Sequence, residues 1–363
     1  MSDRVAVRCL RITAETDTHR RKGLHSGRFS KSFKVTMEQV CGNEHGRRAA
    51  SSVAACGDLG TNERLSRLNF YQNSCPRAEP IVQNIVWENV YKNQTLRPKL
   101  LRMHFHDCFV NGCDASILLD STPNNTAEKD SFPNQSMGGY EVIQEAKTKL
   151  ETVCPGVVSC ADIIALAARD AVSFQYKKSL WQVELGRRDG KISRASEVLL
   201  NVISPFSNFS TGFQSFKNKG LDKRDLVSLL GGHTLGSSHC LFFEKRIDNF
   251  TGKGDRDHSL NASYAAWLKH ACANRSDKTT TVGLDLTPAT FDTNYYENLK
   301  LNMGLFQLDA ALITDEEAAE MVDEMLDLKF FLAQFGVSMR NMGRIGVLTG
   351  NSGEVRKECN TVN

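Results

Sequence analysis

No stretch of the chain approaches the roughly 18 consecutive apolar residues that a helix needs to cross a bilayer, so no membrane span is expected. An excess of one charge is missing too. The formal net charge is +3, and residues 1–64 carry 12 of the 45 basic residues and 7 of the 42 acidic ones, leaving 33 against 35 in the body. A near-neutral body lacks the basic footprint that nucleic-acid binding requires. No internal repeat or low-complexity tract appears, which excludes solenoids and arrays. Strand signals are scarce, "LWQVELG" (180–186) being the main candidate for a short extended piece.

Cysteine, by contrast, is plentiful. Eight of the eleven lie from Cys75 onward (Cys75, Cys108, Cys113, Cys154, Cys160, Cys240, Cys272, Cys359), and Cys9, Cys41 and Cys56 lie in the basic leader. An even set spread through the body favours four disulfides and an oxidising compartment. The sequons beginning at Asn93, Asn124, Asn134, Asn208, Asn249, Asn261 and Asn274 point the same way, to secretion. The leader does not fit that picture. Its most apolar run, "AASSVAAC" (49–56), follows a long charged stretch and is no recognisable signal peptide. Residues 1–64 are therefore read as a disordered extension or a wrongly assigned first exon, and 65–363 as one globular domain.

Apolar residues recur mostly at spacings of three and four, predicting a mainly α fold with little β. Helices are predicted over "AEPIVQNIVWENVYKN" (78–93), "GYEVIQEAKTKLETV" (139–153), "SCADIIALAARDAVSF" (159–174), "KRDLVSLLGG" (223–232) and "KFFLAQFGVSMRNMG" (329–343). Gly231 and Gly232 fit a helix stop.

The densest chemistry sits in "LLRMHFHDCFVNGCDAS" (100–116). A helix started by Pro98 puts Arg102 and His106 on one face at i, i+4, and His104 on the opposite side. A guanidinium and an imidazole aimed at one space suit acid/base work beside a charge-stabilising cation; a solvated helix face is the alternative. His104 and Cys108, with Asp107 and Cys113, leave a zinc site open as a rival to a disulfide. Asp107, Asp114 and Ser116 around Gly112 offer hard oxygen donors of the kind that suit Ca²⁺.

This stretch resembles the distal haem signature of the class III plant secretory peroxidases, the family of horseradish peroxidase. The resemblance continues through "RLNFYQNSCP", "AEKDSFPN", "CPGVVSCADIIALAARDAV", "LGRRDGKIS", "DLVSLLGGHTLGSSHC", "TPATFDTNYYENL" and "MGRIGVLTGNSGEVRKECNTVN", covering about 65–363. It implies the plant-type peroxidase fold, with haem b between distal and proximal helical halves. It also implies reduction of hydrogen peroxide coupled to one-electron oxidation of two small phenolic donors, by a secreted monomer.

Residue by residue, the resemblance implies His233 as axial iron ligand, supported by Asp309, and His106 as base then acid beside Arg102. Asn134 would hold His106, and Phe105 would wall the haem pocket. A first calcium site would comprise Asp107, Val110, Gly112, Asp114, Ser116 and Glu128, the last also linking it to Asn134. A second would be held by Thr234, Asp285, Thr287, Thr290 and Asp292. The implied disulfides are Cys75–Cys154, Cys108–Cys113, Cys160–Cys359 and Cys240–Cys272.

The chain also departs from the family pattern. Asp285 stands one residue nearer to Thr287 than usual, which either shifts the loop or weakens the second calcium site. Ile203 replaces a proline whose carbonyl meets the aromatic donor, Glu184 replaces another proline, and Leu308 replaces a frequent serine. The loop after Asn134 is one residue short and reads "SMGGY" where an arginine commonly precedes the glycine. The alternative to an active peroxidase is a catalytically impaired, haem-binding wall-associated protein.

Overall fold

A computed structural model describes residues 66–274 and 279–363. The extension expected over 1–64, with Cys9, Cys41 and Cys56, lies outside the described residues. The described chain is mostly helical, as the spacing of apolar residues predicts. Its first helices are α1 (Ala78–Lys92), α2 (Leu96–Val110), α3 (Tyr140–Val153), α4 (Cys160–Ser173), α5 (Ala195–Asn201), α6 (Phe209–Asn218) and α7 (Lys223–Leu230). Then follow α8 (Glu244–Ile247), α9 (Ala262–Ala271), α10 (Asn294–Lys300), α11 (Gln307–Ala311), α12 (Glu316–Glu324) and α13 (Leu328–Met342). No helix among the described residues is long and apolar enough to cross a membrane.

Helix α2 packs along α4, which also receives α1, while α7 packs against α13, α6 and α12. One large apolar core runs through both groups, and a smaller one surrounds α8 and α9. Capping explains several helix starts: Ser159 accepts from Asp162 N at 3.2 Å, Asp222 from Asp225 N at 2.8 Å and Asp327 from Phe330 N at 2.7 Å. Helix α2 starts two residues before Pro98. The proline sits in the first turn, where its missing N–H would have had no helical partner.

The strand expected at 180–186 is not there; Leu185 makes only an isolated bridge to Arg67. The sheet of the described residues is instead a polar antiparallel pair, β1 (Ser237–His239) and β2 (Thr281–Gly283), with Ser238 opposite Val282. The apolar run at 180–186 serves packing, with Trp181 edge-on to Phe335 at 5.7 Å.

All four disulfides join the pairs that the resemblance implies. Cys160–Cys359 spans 199 residues and ties the chain end to the start of α4. Beside it, buried Arg356 donates to the carbonyls of Ala115, Gly190 and Cys359, at 3.0, 2.8 and 2.6 Å. Asp189 accepts from the backbone of Ala161 and Arg356, so the tail is hydrogen-bonded to the core as well as bridged. With Cys108 in a disulfide, no thiolate is left for zinc at His104.

His104 is a core residue, and burial with the Arg187 charge holds its pKa at about 3. The unfolded chain takes up this proton near pH 6.5 and the folded chain only near pH 3, so stability falls with pH across that interval. At pH 5 the loss is about 2 kcal/mol. Denaturant unfolding of a His104→Leu variant at pH 7 and pH 5 is expected to show a pH dependence smaller by about this amount. An unchanged pH dependence would contradict the assignment.

Candidate functional site

Helix α2 is buried almost all round, which is why its sequence shows so little amphipathic contrast. It presents Arg102 and His106 on a common face. His106 Nδ1 lies 2.6 Å from Asn134 Oδ1, while Asn134 Nδ2 donates to the Glu128 carbonyl at 2.8 Å. Since the amide nitrogen is engaged elsewhere, its oxygen faces the ring and Nδ1 carries the hydrogen. His106 Nε2 therefore holds the free lone pair. Burial, with Arg102 adding its charge, keeps this imidazole well below its usual pKa, against the pull of the Asn134 hydrogen bond. Arg102 donates to Pro133 O at 2.6 Å and Ser136 Oγ at 2.9 Å. Phe105 stands edge-on to His106, with centroids 5.2 Å apart.

The second histidine is reached through the end of α7, which tightens into a 3₁₀ turn over Gly231–Thr234. His233 Nδ1 donates to Asp309 Oδ1 at 2.8 Å, and Asp309 also accepts from Tyr295 OH at 3.0 Å and Phe306 N at 2.9 Å. The His233 ring thus takes the same tautomer as His106, with Nε2 left for a ligand. Phe306 lies edge-on to it at 5.2 Å. Tyr295 was not singled out from the sequence, and nothing local marks it: its link to Asp309 is made by folding.

Both sides meet at the start of α2. A Cβ placed on Gly232 would lie 3.4 Å from Leu101 Cδ2, so α2 touches the turn that carries His233 one residue before Arg102. Gly236, at φ +97, lets the chain approach Pro98, where a Cβ would come within 2.8 Å. The two imidazoles thus stand on neighbouring elements that are in contact at one end.

Beyond α2, Gly112 at φ +102 packs its backbone on Gly346 and turns the chain so that Asp107, Asp114, Ser116 and Glu128 gather, all buried. Ala115 N donates to Asp107 Oδ2 at 3.1 Å, Ser116 N to Asp114 Oδ1 at 3.0 Å and Asp114 N to Gly112 O at 2.7 Å. Asp107 Oδ1, Ser116 Oγ and Glu128 Oε2 are buried without a partner. Burial, then the charges of Asp114 and Glu128, pushes Asp107 well above the carboxylate range, and burial takes Glu128 up to about 8. Three crowded carboxyl groups, two of them with an unpartnered oxygen, beside an unpartnered hydroxyl suit a hard cation. The Val110 carbonyl accepts from Lys219 Nζ at 3.4 Å. Among the described residues no cluster of His, Cys, Asp and Glu alone has metal-binding spacing, so carbonyl and hydroxyl oxygens are needed to complete this donor set.

Glu128 joins this cluster to His106 through its backbone, not its carboxylate: the carbonyl holds Asn134, while Oε1 accepts from Asn111 Nδ2 at 2.9 Å. On the other side, Thr234 Oγ1 donates to Asp285 Oδ2 at 2.7 Å and lies 3.2 Å from Asp292 Oδ1 and 3.4 Å from Thr290 O. Thr287 N donates to Asp285 Oδ1 at 2.8 Å, and Thr287 Oγ1 to Asp292 at 3.1 Å. With the shortened spacing, Asp285 still lies in hydrogen-bond contact with Thr234 and Thr287. Burial pushes Asp285 up to about 6.

Of the other departures, Glu184 is ion-paired to Arg344, and Leu308 is buried against Gly212. Ile203 sits half-buried in the loop after α5, and its carbonyl accepts no hydrogen bond among the described residues.

Comparison with known proteins places these features. The family Peroxidase matches residues 82–327. Similar proteins include Peroxidase 24 of Arabidopsis thaliana, 50% identical over 84% of this chain and 89% of that protein. Peroxidase 56 of the same plant is 47% identical over 84% and 92%, and Peroxidase 1 of Oryza sativa subsp. japonica 43% over 86% and 97%. A family match across more than half of the chain, and near-complete coverage of plant enzymes at these identities, lead to one conclusion: the chain belongs to the peroxidase family, with the class III plant peroxidases, and is a peroxidase.

Proposed function

We propose that the chain holds haem b between His233 and the Arg102/His106 face of α2, and uses it to reduce hydrogen peroxide at the expense of phenolic donors. The observation that carries this reading is the pair of imidazoles, each with Nδ1 tied to a side-chain oxygen and Nε2 free. His233 suits an axial ligand, because its Asp309 partner fixes the orientation of the ring and leaves Nε2 free to bind. When bound, the haem supplies the iron that accepts two oxidising equivalents from peroxide and hands them to donors one electron at a time.

The other steps belong to side chains. His106 Nε2 takes a proton from one peroxide oxygen and returns it to the other, serving as base and then acid. Its lowered pKa keeps it neutral, and so able to accept that proton, throughout the neutral range. Arg102 faces the negative charge that develops on the departing oxygen. Asn134 keeps the ring in its working tautomer, and Phe105 walls the space. Exposed Phe132, 6.2 Å from Phe242, and exposed Phe206 give aromatic surface suited to phenols, with Ile203 the counterpart that offers a carbonyl.

The calcium reading rests on the unpartnered oxygens around Asp107 and on the convergence of Thr234, Asp285, Thr287, Thr290 and Asp292. One calcium would be held by Asp107, Asp114 and Ser116 with the carbonyls of Val110 and Gly112, and a second by the Thr234 cluster. Four disulfides and the exposed sequons Asn93, Asn124, Asn208, Asn249 and Asn261 support secretion, whereas buried Asn134 is no glycan acceptor. We read the enzyme as a monomer. An impaired haem-binding protein is disfavoured, because no departure from the family pattern displaces Arg102, His106, His233 or Asp309.

Replacing His106 with leucine is expected to slow the reaction with peroxide about 100- to 10,000-fold in stopped-flow absorbance; an unchanged rate would refute its assigned role. Calorimetric titration of chelator-treated protein with calcium should show two binding events, of which Asp285→Asn removes one. A single event in the unaltered protein that Asp285→Asn leaves intact would mean that the Thr234 cluster holds no calcium.

A further inference from the structure

The sequon at Asn93 closes α1, and a cavity lies along the last turns of that helix. An open groove of about 420 Å³ is lined by Asn84, Trp87, Glu88, Tyr91 and Lys92, the last of which directly precedes Asn93. Trp87 and Tyr91 stand at i, i+4, so their rings share one helix face. Trp87 is fixed, because its Nε1 donates to Asp170 O at 3.0 Å and Phe174 meets it edge-on at 6.1 Å. Tyr91 is 78% exposed, and its ring and hydroxyl have no partner among the described residues. A lone exposed ring is ordinary on a protein surface; the place of this one beside Asn93 is what gives it a use.

Asn93 leaves the helix with extended backbone, at φ −145 and ψ 96. Its Oδ1 accepts from Thr95 N at 3.1 Å and from Thr95 Oγ1 at 2.8 Å, while Nδ2 makes no hydrogen bond among the described residues. The amide nitrogen is thus the free atom of the sequon, and the Cα atoms of Asn93 and Tyr91 are at most about 7 Å apart. A pyranose carries C–H bonds on its faces, which suit the negative face of an aromatic ring. Its rim carries hydroxyls, which suit the amide, carboxylate and ammonium of Asn84, Glu88 and Lys92. Asn208 follows Phe206 at the same spacing, but Val202 stands where a second ring would be needed.

We propose that Asn93 carries an N-linked glycan whose first N-acetylhexosamine lies on Tyr91, in the groove beside Trp87. This rests on the secretion reading above, because the donor, a lipid-linked oligosaccharide diphosphate, belongs to the secretory pathway. Nδ2 forms a bond to the anomeric carbon, the bond from that carbon to the diphosphate oxygen breaks, and the amide proton leaves with the lipid diphosphate. The seated sugar then ties the last turn of α1 to the chain that leaves it.

The test uses the full chain purified from cultured plant cells. Glycopeptide mass spectrometry is expected to find Asn93 modified. A bare Asn93 beside glycan at another sequon overturns the proposal and leaves the secretion reading standing; no glycan at any sequon overturns both. Seating is read from unfolding rates in guanidinium, followed by intrinsic fluorescence. Tyr91→Ala is expected to speed unfolding about threefold in the glycosylated protein and to have no effect in an Asn93→Gln background, while Tyr91→Phe, which keeps the ring, retains the original rate. An equal effect of Tyr91→Ala in both backgrounds means that the ring packs on protein alone, and no effect in either means that it packs on nothing. Each of those results overturns the seating.

Discussion

An oxygen acceptor on the Nδ1 side of each of two histidines decides what the rest of the site can be. It fixes which ring nitrogen keeps its lone pair, and so where a proton or a ligand can be received. The acceptors differ. His106 has a neutral amide, which orients the ring while adding no charge, and its buried setting disfavours the imidazolium. His233 has a carboxylate, Asp309, itself held by Tyr295 and the Phe306 backbone. An amide suits a ring that must give its proton back, and a carboxylate suits a ring that must push electron density toward a ligand.

Those two contacts depend on structure that reaches well beyond them. Asn134 is aimed by the Glu128 carbonyl, and Glu128 stands in the carboxylate cluster that includes Asp107 and Asp114. Through this route the cluster is linked to the His106 ring by hydrogen bonds, although no cluster side chain touches the ring. Helix α2 is the common support. It carries Arg102, His106 and Asp107 within two turns, and it is anchored from behind by buried Arg97, which donates to Ala171 O, Ala289 O and Gln175.

Much of this was legible in the sequence, and the limits have physical causes. Helices such as α3 and α7 announce themselves by apolar spacing and by caps, which are local. The i, i+4 placement of Arg102 and His106 follows from helix geometry alone. The β1/β2 pair was missed because it joins short polar segments more than 40 residues apart in sequence, leaving no periodicity to read. The run at 180–186 looked like a strand because burial, not pairing, made it apolar. The tautomers, the backbone role of Glu128 and the Tyr295 contact depend on which atoms folding brings together. Composition carries no trace of that. The Asp285 spacing shows the same limit from the other side: the count of residues to Thr287 does not say that its carboxylate meets the Thr234 hydroxyl.

The bridge between Cys160 and Cys359 closes more than half of the described chain into a covalent ring, with the Cys240–Cys272 bridge inside it. A protease that cuts once anywhere along that ring opens a circle and releases no fragment. The imidazole of His233 and the carboxylate of Asp309, both within the ring, remain tethered to the helix that carries His106 even after the backbone between them is severed.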